Sequence, residues 1–409
     1  MYRFLVTASI LVLLGFVYLG NRLIPDIWPK AVRSALWLAL ALMIANLLWL
    51  PFKRWRRSSA SPSTHMQPGI ATRLLESSAY SFMGFLSLLL AFAALGEAIR
   101  LGFALLPQTL QGDLLVLIPA GQNFDSCLAI LIIALALLFF IYGRVQVALG
   151  PRCQFVKVVL PLEGRAKRRP RFRRQPHAAQ KLRLAQVSDL HIGRAIKRSY
   201  VERVVKLINA HQADIACFTG DIGDGPAAAL QHAAAPLTQL STTYGNYYIP
   251  GNHEYYWGLR SWLEIFEKYG MKPLINRGSK ITTGFGSVFL AGVSDPTAAR
   301  FAEELPKIPA RETSELAILL AHQPVFARSA AAKNYDLMLA GHTHGGQYIP
   351  WSWIVHLIFR FAKGLYRTGN LLVYVNSGTG YWGAPLRIGT RPEITVLDIY
   401  LKEAKDSRP

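Results

Sequence analysis

The chain has 409 residues, 52% hydrophobic and 17% charged, and its 45 Lys and Arg against 24 Asp and Glu leave a formal charge of +21. That length exceeds one typical domain, and the apolar content is high for a wholly water-soluble protein. Three cysteines, Cys127, Cys153 and Cys217, show no metal-type spacing, which excludes a disulfide framework and a cysteine zinc site and suits a reducing compartment.

The apolar excess sits in the first third. Stretches at 4–19, 36–52, 80–95 and 127–149 approach or reach the ~20 residues that cross a bilayer core, so residues 1–150 read as a transmembrane helical region of about four spans. A cleavable signal peptide is disfavoured, because Tyr18-Leu19-Gly20-Asn21 is a poor cleavage site and three more apolar stretches follow. Lys53, Arg54, Arg56, Arg57 and Arg73 lie between the second and third stretches, and Arg152, Lys157, Arg165, Lys167, Arg168, Arg169, Arg171, Arg173 and Arg174 follow the fourth. Residues 100–125 hold one Arg and two Asp. Basic loops stay on the cytoplasmic side, which places everything after Leu149 in the cytoplasm, although Arg22, Lys30 and Arg33 weaken the pattern at the first span. Basic clusters beside spans attract anionic headgroups. With no RNA-binding aromatic motif or zinc finger present, the charge is assigned to the membrane rather than to nucleic acid.

Residues 151–181 read as a basic linker containing Pro170 and Pro176, and residues 182–409 as a soluble domain. Apolar, β-rich runs occur at 182–187, 215–219, 247–249, 288–293, 316–320, 337–340 and 371–375, with helical patterns at 200–211, 227–241 and 260–269. Short continuous apolar strands alternating with helices describe an α/β domain whose sheets are covered on their outer faces. Ligands in such folds collect at the carboxyl ends of strands. Polar clusters stand at those ends: Asp189-Leu190-His191, Gly220-Asp221, Gly251-Asn252-His253-Glu254, His322 and Gly341-His342-Thr343-His344.

Asp189 and His191, two apart, can turn together toward one metal at a strand end. Asp221 follows a glycine that permits a sharp turn, and its two oxygens suit it to bridge two cations. Asn252 offers a carbonyl oxygen, and His322, His342 and His344 offer imidazoles. This donor set serves two divalent metals, with Mn, Fe, Zn or Co suited better than Ca or Mg. Two metals about 3.5–4 Å apart lower the pKa of a shared water and clamp the oxygens of an in-line phosphoryl displacement. His253, next to Asn252, is placed to protonate a leaving alkoxide as general acid. Asp224 is placed to hold its other ring nitrogen. Glu254 reads as a helix-start or surface acid, and His65, His177, His211, His232 and His356 as bystanders.

The order D-x-H, GD, GNHE, a lone His and GHTH resembles the calcineurin-like metallophosphoesterases, over about residues 182–399. The resemblance implies a four-layer α/β/β/α sandwich. It implies one metal on Asp189, His191, Asp221 and His344, and the other on Asp221, Asn252, His322 and His342, with His253 as the acid. GHTHGGQ at 341–347, Asn376–Gly380, Arg387 and Pro392-Glu393-Ile394 resemble the membrane-associated bacterial branch, which implies a bacterial inner membrane. One departure matters. Protein Ser/Thr phosphatases of the superfamily carry GDxxDRG, whereas 220–225 here reads GDIGDG. The phosphate-gripping Arg is absent, which argues against a phosphoprotein phosphatase and leaves Arg387 or Arg194 as candidate substrate contacts.

The run at 351–361, WSWIVHLIFRF, has two readings: a buried connecting helix, or a flap dipping into the headgroup region. The expectation is a membrane-anchored phosphoesterase that hydrolyses phosphodiester or pyrophosphate bonds, with lipid or lipid-linked substrates in view. A phosphomonoesterase or nucleotide phosphodiesterase acting on soluble substrates is the alternative. A membrane scaffold with a degenerate enzyme domain is a second, and the complete donor set argues against it.

Overall fold

The computed structural model describes residues 2–24, 28–58, 69–119, 123–161, 181–314 and 316–402. The basic run at 165–174 and His65 and His177 lie outside the described residues. The chain divides into two units, Met1–Val145 with Gly383–Ile388, and Gln146–Trp382 with Gly389–Pro409.

The first unit is helical: α1 (Tyr2–Leu23), α2 (Lys30–Ser58), α3 (Ile70–Ala104), α4 (Gln108–Leu115) and α5 (Phe124–Ala148). Among the described residues three helices are long and apolar enough to cross a membrane, within α2, α3 and α5, and α1 adds a shorter apolar stretch over Val12–Leu23. The four expected spans are thus approximate, the first being the short one. Edge-on aromatic pairs, Phe85 with Phe140 and Phe92 with Phe139, join α3 to α5. Asn46 ties α2 to α3 by donating to the Leu75 carbonyl and the Ser78 hydroxyl. Leu386 and Ile388 pack against the glycines of α3 and α5, Gly84 and Gly143, where no side chain stands in the way.

The second unit holds the two sheets. In chain order its elements are β1 (Arg152–Pro161), β2 (Lys181–Val187), α6 (Arg198–Ala210), β3 (Ile215–Thr219), α7 (Ala227–Ala234), β4 (Asn246–Ile249), α8 (Asn252–Trp257), α9 (Leu259–Lys268) and β5 (Met271–Pro273). Then come β6 (Gly278–Thr283), β7 (Gly286–Gly292), β8 (Leu316–Leu320), α10 (Ala327–Ala332), β9 (Leu337–Ala340), α11 (Trp351–Ile358), β10 (Gly364–Thr368), β11 (Leu371–Val375) and β12 (Glu393–Lys402). One sheet has the order β1-β12-β2-β3-β4-β5 and the other β10-β11-β9-β8-β7-β6. Strands β2 to β5 are parallel, as are β7, β8, β9 and β11. The first sheet reaches back before Leu182, because β1 pairs with β12 in register Arg152 to Glu393 through Pro161 to Lys402. The alternation that builds it is visible afterwards in buried Val158 and Leu160, two apart on the inward face.

Period-two alternation splits each central strand between two cores. Leu184, Cys217 and Ile249 from the first sheet meet Leu290, Ile318 and Leu339 from the second. The opposite face of the first sheet, with Val187, Phe218 and Tyr248, packs on Val201, Val204, Val205 and Ile208 of α6 and on Trp262 of α9. The α6 positions are the i, i+3, i+4, i+7 stripe of a helix with one buried side. Phe289, Ala317, Met338 and Val373 on the outer face of the second sheet pack on Ala327 and Ala330 of α10. Both sheet faces are covered, so the strands read as continuous apolar runs, and the layers are α/β/β/α.

Candidate metal centre

Five of the parallel strands, β2, β3, β4, β8 and β9, are closely followed by polar residues. Asp189 and His191 follow β2, Asp221 follows β3, Asn252 and His253 open α8 after β4, His322 follows β8, and His342 and His344 follow β9. The backbone there is forced. Asp189, His191, Asp221, His342 and His344 all have φ between 51° and 72°, and they are half of the ten described non-glycine residues with positive φ. Each such residue costs about 1–3 kcal/mol and persists only where its surroundings over-determine it. Here the surroundings are hydrogen bonds between neighbouring loops: Asp189 N–H to the Gly220 carbonyl, His191 N–H to that of Asp221, and Gly341 N–H to that of His322. Gly220 and Gly251 allow the approach, since a Cβ on Gly251 would stand 2.2 Å from Asp221 Oδ1 and one on Gly220 2.6 Å from the Gly251 nitrogen. The Gln186 amide, in β2, donates to Thr219 Oγ1 and to the Ala340 carbonyl of the second sheet, which locks the two strand-end sets together.

Three overlapping donor groups result among the described residues, and the one formed by His191, Asp221 and His253 links the other two. Asp189, His191 and His344 offer ligand atoms within 4.8 Å of one another, and so do Asp221, His322 and His342. His191 Nε2 stands 3.1 Å from His344 Nε2, and His344 Nε2 3.4 Å from Asp189 Oδ1. In the second group His322 Nε2 is 3.1 Å from Asn252 Oδ1, 3.2 Å from His342 Nδ1 and 3.3 Å from Asp221 Oδ2. Asp221 lies between the groups, with His191 Nε2 4.0 Å from Oδ2. Lone-pair atoms this close repel unless a proton or cation sits among them, and metal–nitrogen bonds of about 2.0–2.1 Å give polyhedron edges of about 3 Å. The residues therefore fit divalent metals. His322 Nδ1 faces the Thr219 carbonyl at 2.9 Å, which assigns it the ring proton and leaves Nε2 its lone pair.

Protonation follows from burial and charge. Burial holds His191 down to about 3, helped by the nearby His253 charge, which keeps the ring neutral and able to donate a lone pair. Burial likewise lowers His342, as does the His322 charge. His322 is the exception: burial opposes its charge, but Asp221 and Asp189 raise it well above the ordinary value, a positive charge that a cation would supply instead. His253 differs from the ligands. Burial alone would depress it, yet Asp221 and Asp224 carry it up to about 9. Its Nδ1 is 2.9 Å from Asp224 Oδ1, a carboxylate that also accepts from Trp257 Nε1 at 2.9 Å. Burial would raise Asp224, but the His253 contact holds it at about 2. His253 is thus held in its protonated form by the ionised Asp224 beside it.

Glu254 is the residue the sequence undervalued. It is fully buried, and its carboxylate accepts the N–H groups of Asp221, Ile222, Gly223 and Gly251 at 2.7–3.0 Å. It caps α8 and clamps the Gly220-Asp221 turn, and burial followed by the Asp221 charge lifts it to about 7. Its place three residues after Gly251 was the available signal, that of a capping acid. Asn376 and Thr379 brace the other side: the Asn376 side chain links Thr395 and Gly378, while Thr379 N–H donates to the Ser188 carbonyl. Arg194 lies exposed beyond Gly193. Arg387 is fully buried in Gly383–Ile388, the segment that groups with the helices, where its N–H donates to the Gly143 carbonyl. Neither belongs to the donor clusters, nor do His211, His232 and His356. Residues 351–358 do form a helix, α11, but Ser352 is its only buried residue, so the buried-connector reading gives way.

A family model described as calcineurin-like phosphoesterase matches residues 182–346, which contain all seven donors. A transmembrane protein with metallophosphoesterase domain from Danio rerio is 32% identical, over 98% of this chain and 90% of that one. An uncharacterized metallophosphoesterase of Helicobacter pylori is 35% identical over 57% of this chain and 65% of its own length. Another from Aquifex aeolicus is 31% identical over 53% of this chain and 85% of its own.

Proposed function

The chain belongs to the calcineurin-like metallophosphoesterases, and from that premise we propose that it is a membrane-anchored hydrolase of phosphodiester or pyrophosphate bonds. Asp189, His191, Asp221 and His344 would hold one divalent metal, and Asp221, Asn252, His322 and His342 a second. When bound, the two cations acidify water and offset phosphate charge. The chain's own residues then do the rest. Asp221 Oδ1 accepts the His253 N–H at 2.8 Å and so fixes the acid beside the bridging carboxylate. His253 Nε2 delivers the proton to the departing oxygen, and Asp224 stabilises the imidazolium before transfer and orients the ring. Buried Glu254 holds the turn that carries Asp221.

The observation that carries this reading is the approach of imidazole and carboxylate atoms from two sheets to 3.1–3.4 Å. A diester is favoured over a phosphoprotein because Gly225 stands where a phosphate-gripping Arg would be. The purified full-length chain, stripped by chelator and reloaded with Mn, is expected to bind two metals. It should hydrolyse bis(p-nitrophenyl) phosphate faster than p-nitrophenyl phosphate. One metal or fewer with full activity sinks the dinuclear reading, and preference for the monoester selects the phosphomonoesterase alternative. From the basic loops we infer a catalytic unit in the cytoplasm of a bacterial cell, so a reporter active only in the periplasm is expected to be silent after Arg174 and active near Gln111.

A further inference from the structure

Helix α11 inverts the burial rule. Leu357, Ile358 and Trp353 are 88%, 68% and 66% exposed, and Trp351, Ile354 and Phe359 are exposed beside them. Single exposed apolar residues are ordinary, but six within nine positions form a patch that marks a binding surface. Its surroundings identify the partner. From Leu337 to Pro392 the chain has no acidic residue, and of its basic residues Arg360, Lys363, Arg367 and Arg391 belong to the same unit as α11. Arg360, two residues after the helix, and Arg367 in β10 are both exposed. Tryptophan, phenylalanine and cations without anions suit the headgroup region of an anionic bilayer. The same polypeptide carries three helices able to cross such a bilayer, so each copy has one at hand.

Both ends of α11 are tied to the metal-binding loop. The Thr343 hydroxyl, between His342 and His344, donates to the Ala362 carbonyl beyond the helix. Ahead of it, the Tyr348 carbonyl accepts the Ser352 N–H at 3.0 Å. The Gln347 amide pairs with the backbone of Trp382 in both directions, at 3.1 and 3.0 Å, and the Trp382 ring stands edge-on to His253 with centroids 5.8 Å apart. Trp382 is itself about half exposed. Hydrogen bonds through Gln347 thus connect the loop before α11 to the half-exposed Trp382 ring beside His253.

We propose that α11 lies in the headgroup layer of the bilayer and that the centre it borders acts on the phosphoester of a membrane lipid. The docking half stands on exposure and charge alone; the substrate half rests on the phosphoesterase reading above. The test uses the full-length chain in nanodiscs containing phosphatidylglycerol. A nitroxide is attached at Leu357→Cys, or as control at exposed Glu202→Cys on α6, with Cys127, Cys153 and Cys217 replaced by Ala. Relaxation by oxygen in preference to a water-soluble nickel complex is expected at 357 and the reverse at 202. Equal access of the nickel complex to both labels overturns the docking, and so does shielding of 357 from both agents, which means a protein partner or second copy. In the same discs, turnover of a p-nitrophenyl ester of phosphatidic acid is compared with that of bis(p-nitrophenyl) phosphate. Trp353→Ser with Leu357→Ser is expected to lower the ratio of lipid to soluble turnover at least about ten-fold. An unchanged ratio overturns the lipid substrate. Failure of the unmutated chain on both esters overturns the phosphoesterase reading and the lipid substrate with it, while the label still reports the docking.

Discussion

The loop at 341–347 and α11, which begins four residues later, invert burial in opposite directions. The loop and the turns around it bring Asp189, Asp221 and four imidazoles into an interior where Asp189, His191, Asp221 and His322 are buried. The helix turns large apolar side chains out, with Ser352 alone buried. A buried ionisable group and an exposed apolar patch are each unfavourable for an isolated chain. Taken together they make this the segment that folding alone satisfies least; on the readings proposed above, cations would complete the loop and a bilayer the helix.

The loop half breaks most sharply at Asp221. Asp221→Asn removes the carboxylate that lies between the donor groups and is proposed to serve both metals, and kcat is expected to fall on the order of 10⁴-fold or more, as when one member of a cooperating unit is lost. Elemental analysis of the variant should show both metals depleted. Retention of one full equivalent would mean that Asp221 belongs to a single group.

Next in size is His253→Asn. Both metals should remain, while kcat for an alkyl ester falls roughly 10²–10⁴-fold, the scale of losing a general acid. For a p-nitrophenyl ester, whose leaving group needs little protonation, the loss should shrink. Equal losses on the two esters would recast His253 as a phosphate-positioning group.

The elements that the sequence displayed were those whose neighbours in space are also neighbours in pattern. Strands β2, β3 and β4 are buried on both faces, so each shows as an unbroken apolar run, and the residue that ends the run is the one brought to the sheet edge. β1 escaped because Arg152 and Lys157 on its exposed positions look like juxtamembrane charge; only pairing with β12, far along the chain, makes it a strand. Arg387 escaped for a related reason, since its surroundings depend on which elements fold against residues 383–388. α11 was ambiguous because an apolar helix has the same composition whether it faces a core or a lipid. Glu254 is the helix-start acid of its two readings, not the surface one, but a carboxylate beside a helix start reveals nothing of the N–H groups that a distant turn aims at it.

A pH measurement sharpens the loop half further. His253 sits at about 9, so its acid form is present below that value and is lost as pH rises through it. Activity on an alkyl ester should therefore fall along the alkaline limb. Asp224→Asn removes one of the carboxylates that raise His253, so the limb is expected to move to lower pH. The rate should drop about 10–100-fold, in the range for an outer partner of a site residue. A limb that stays in place after Asp224→Asn would detach it from His253.

The smallest effect belongs to the helix. If α11 is surface, removing its most exposed side chain must cost the fold almost nothing, because Leu357 has little apolar contact to lose. Leu357→Ser is expected to change stability within about 0.5 kcal/mol, a shift of about 1–2 °C in Tm for a unit of this size. Trp262→Ala is the contrast: that ring is fully buried among α6, α7 and the first sheet, and its Nε1 donates to the Gly225 carbonyl at 3.1 Å. Its loss is expected to cost about 3–5 kcal/mol. Differential scanning fluorimetry on the purified chain in detergent measures both. A Tm drop for Leu357→Ser approaching that of Trp262→Ala would mean that α11 spends its time packed as core. The two halves of the segment would then no longer be opposites, and only the metal loop would need something from outside.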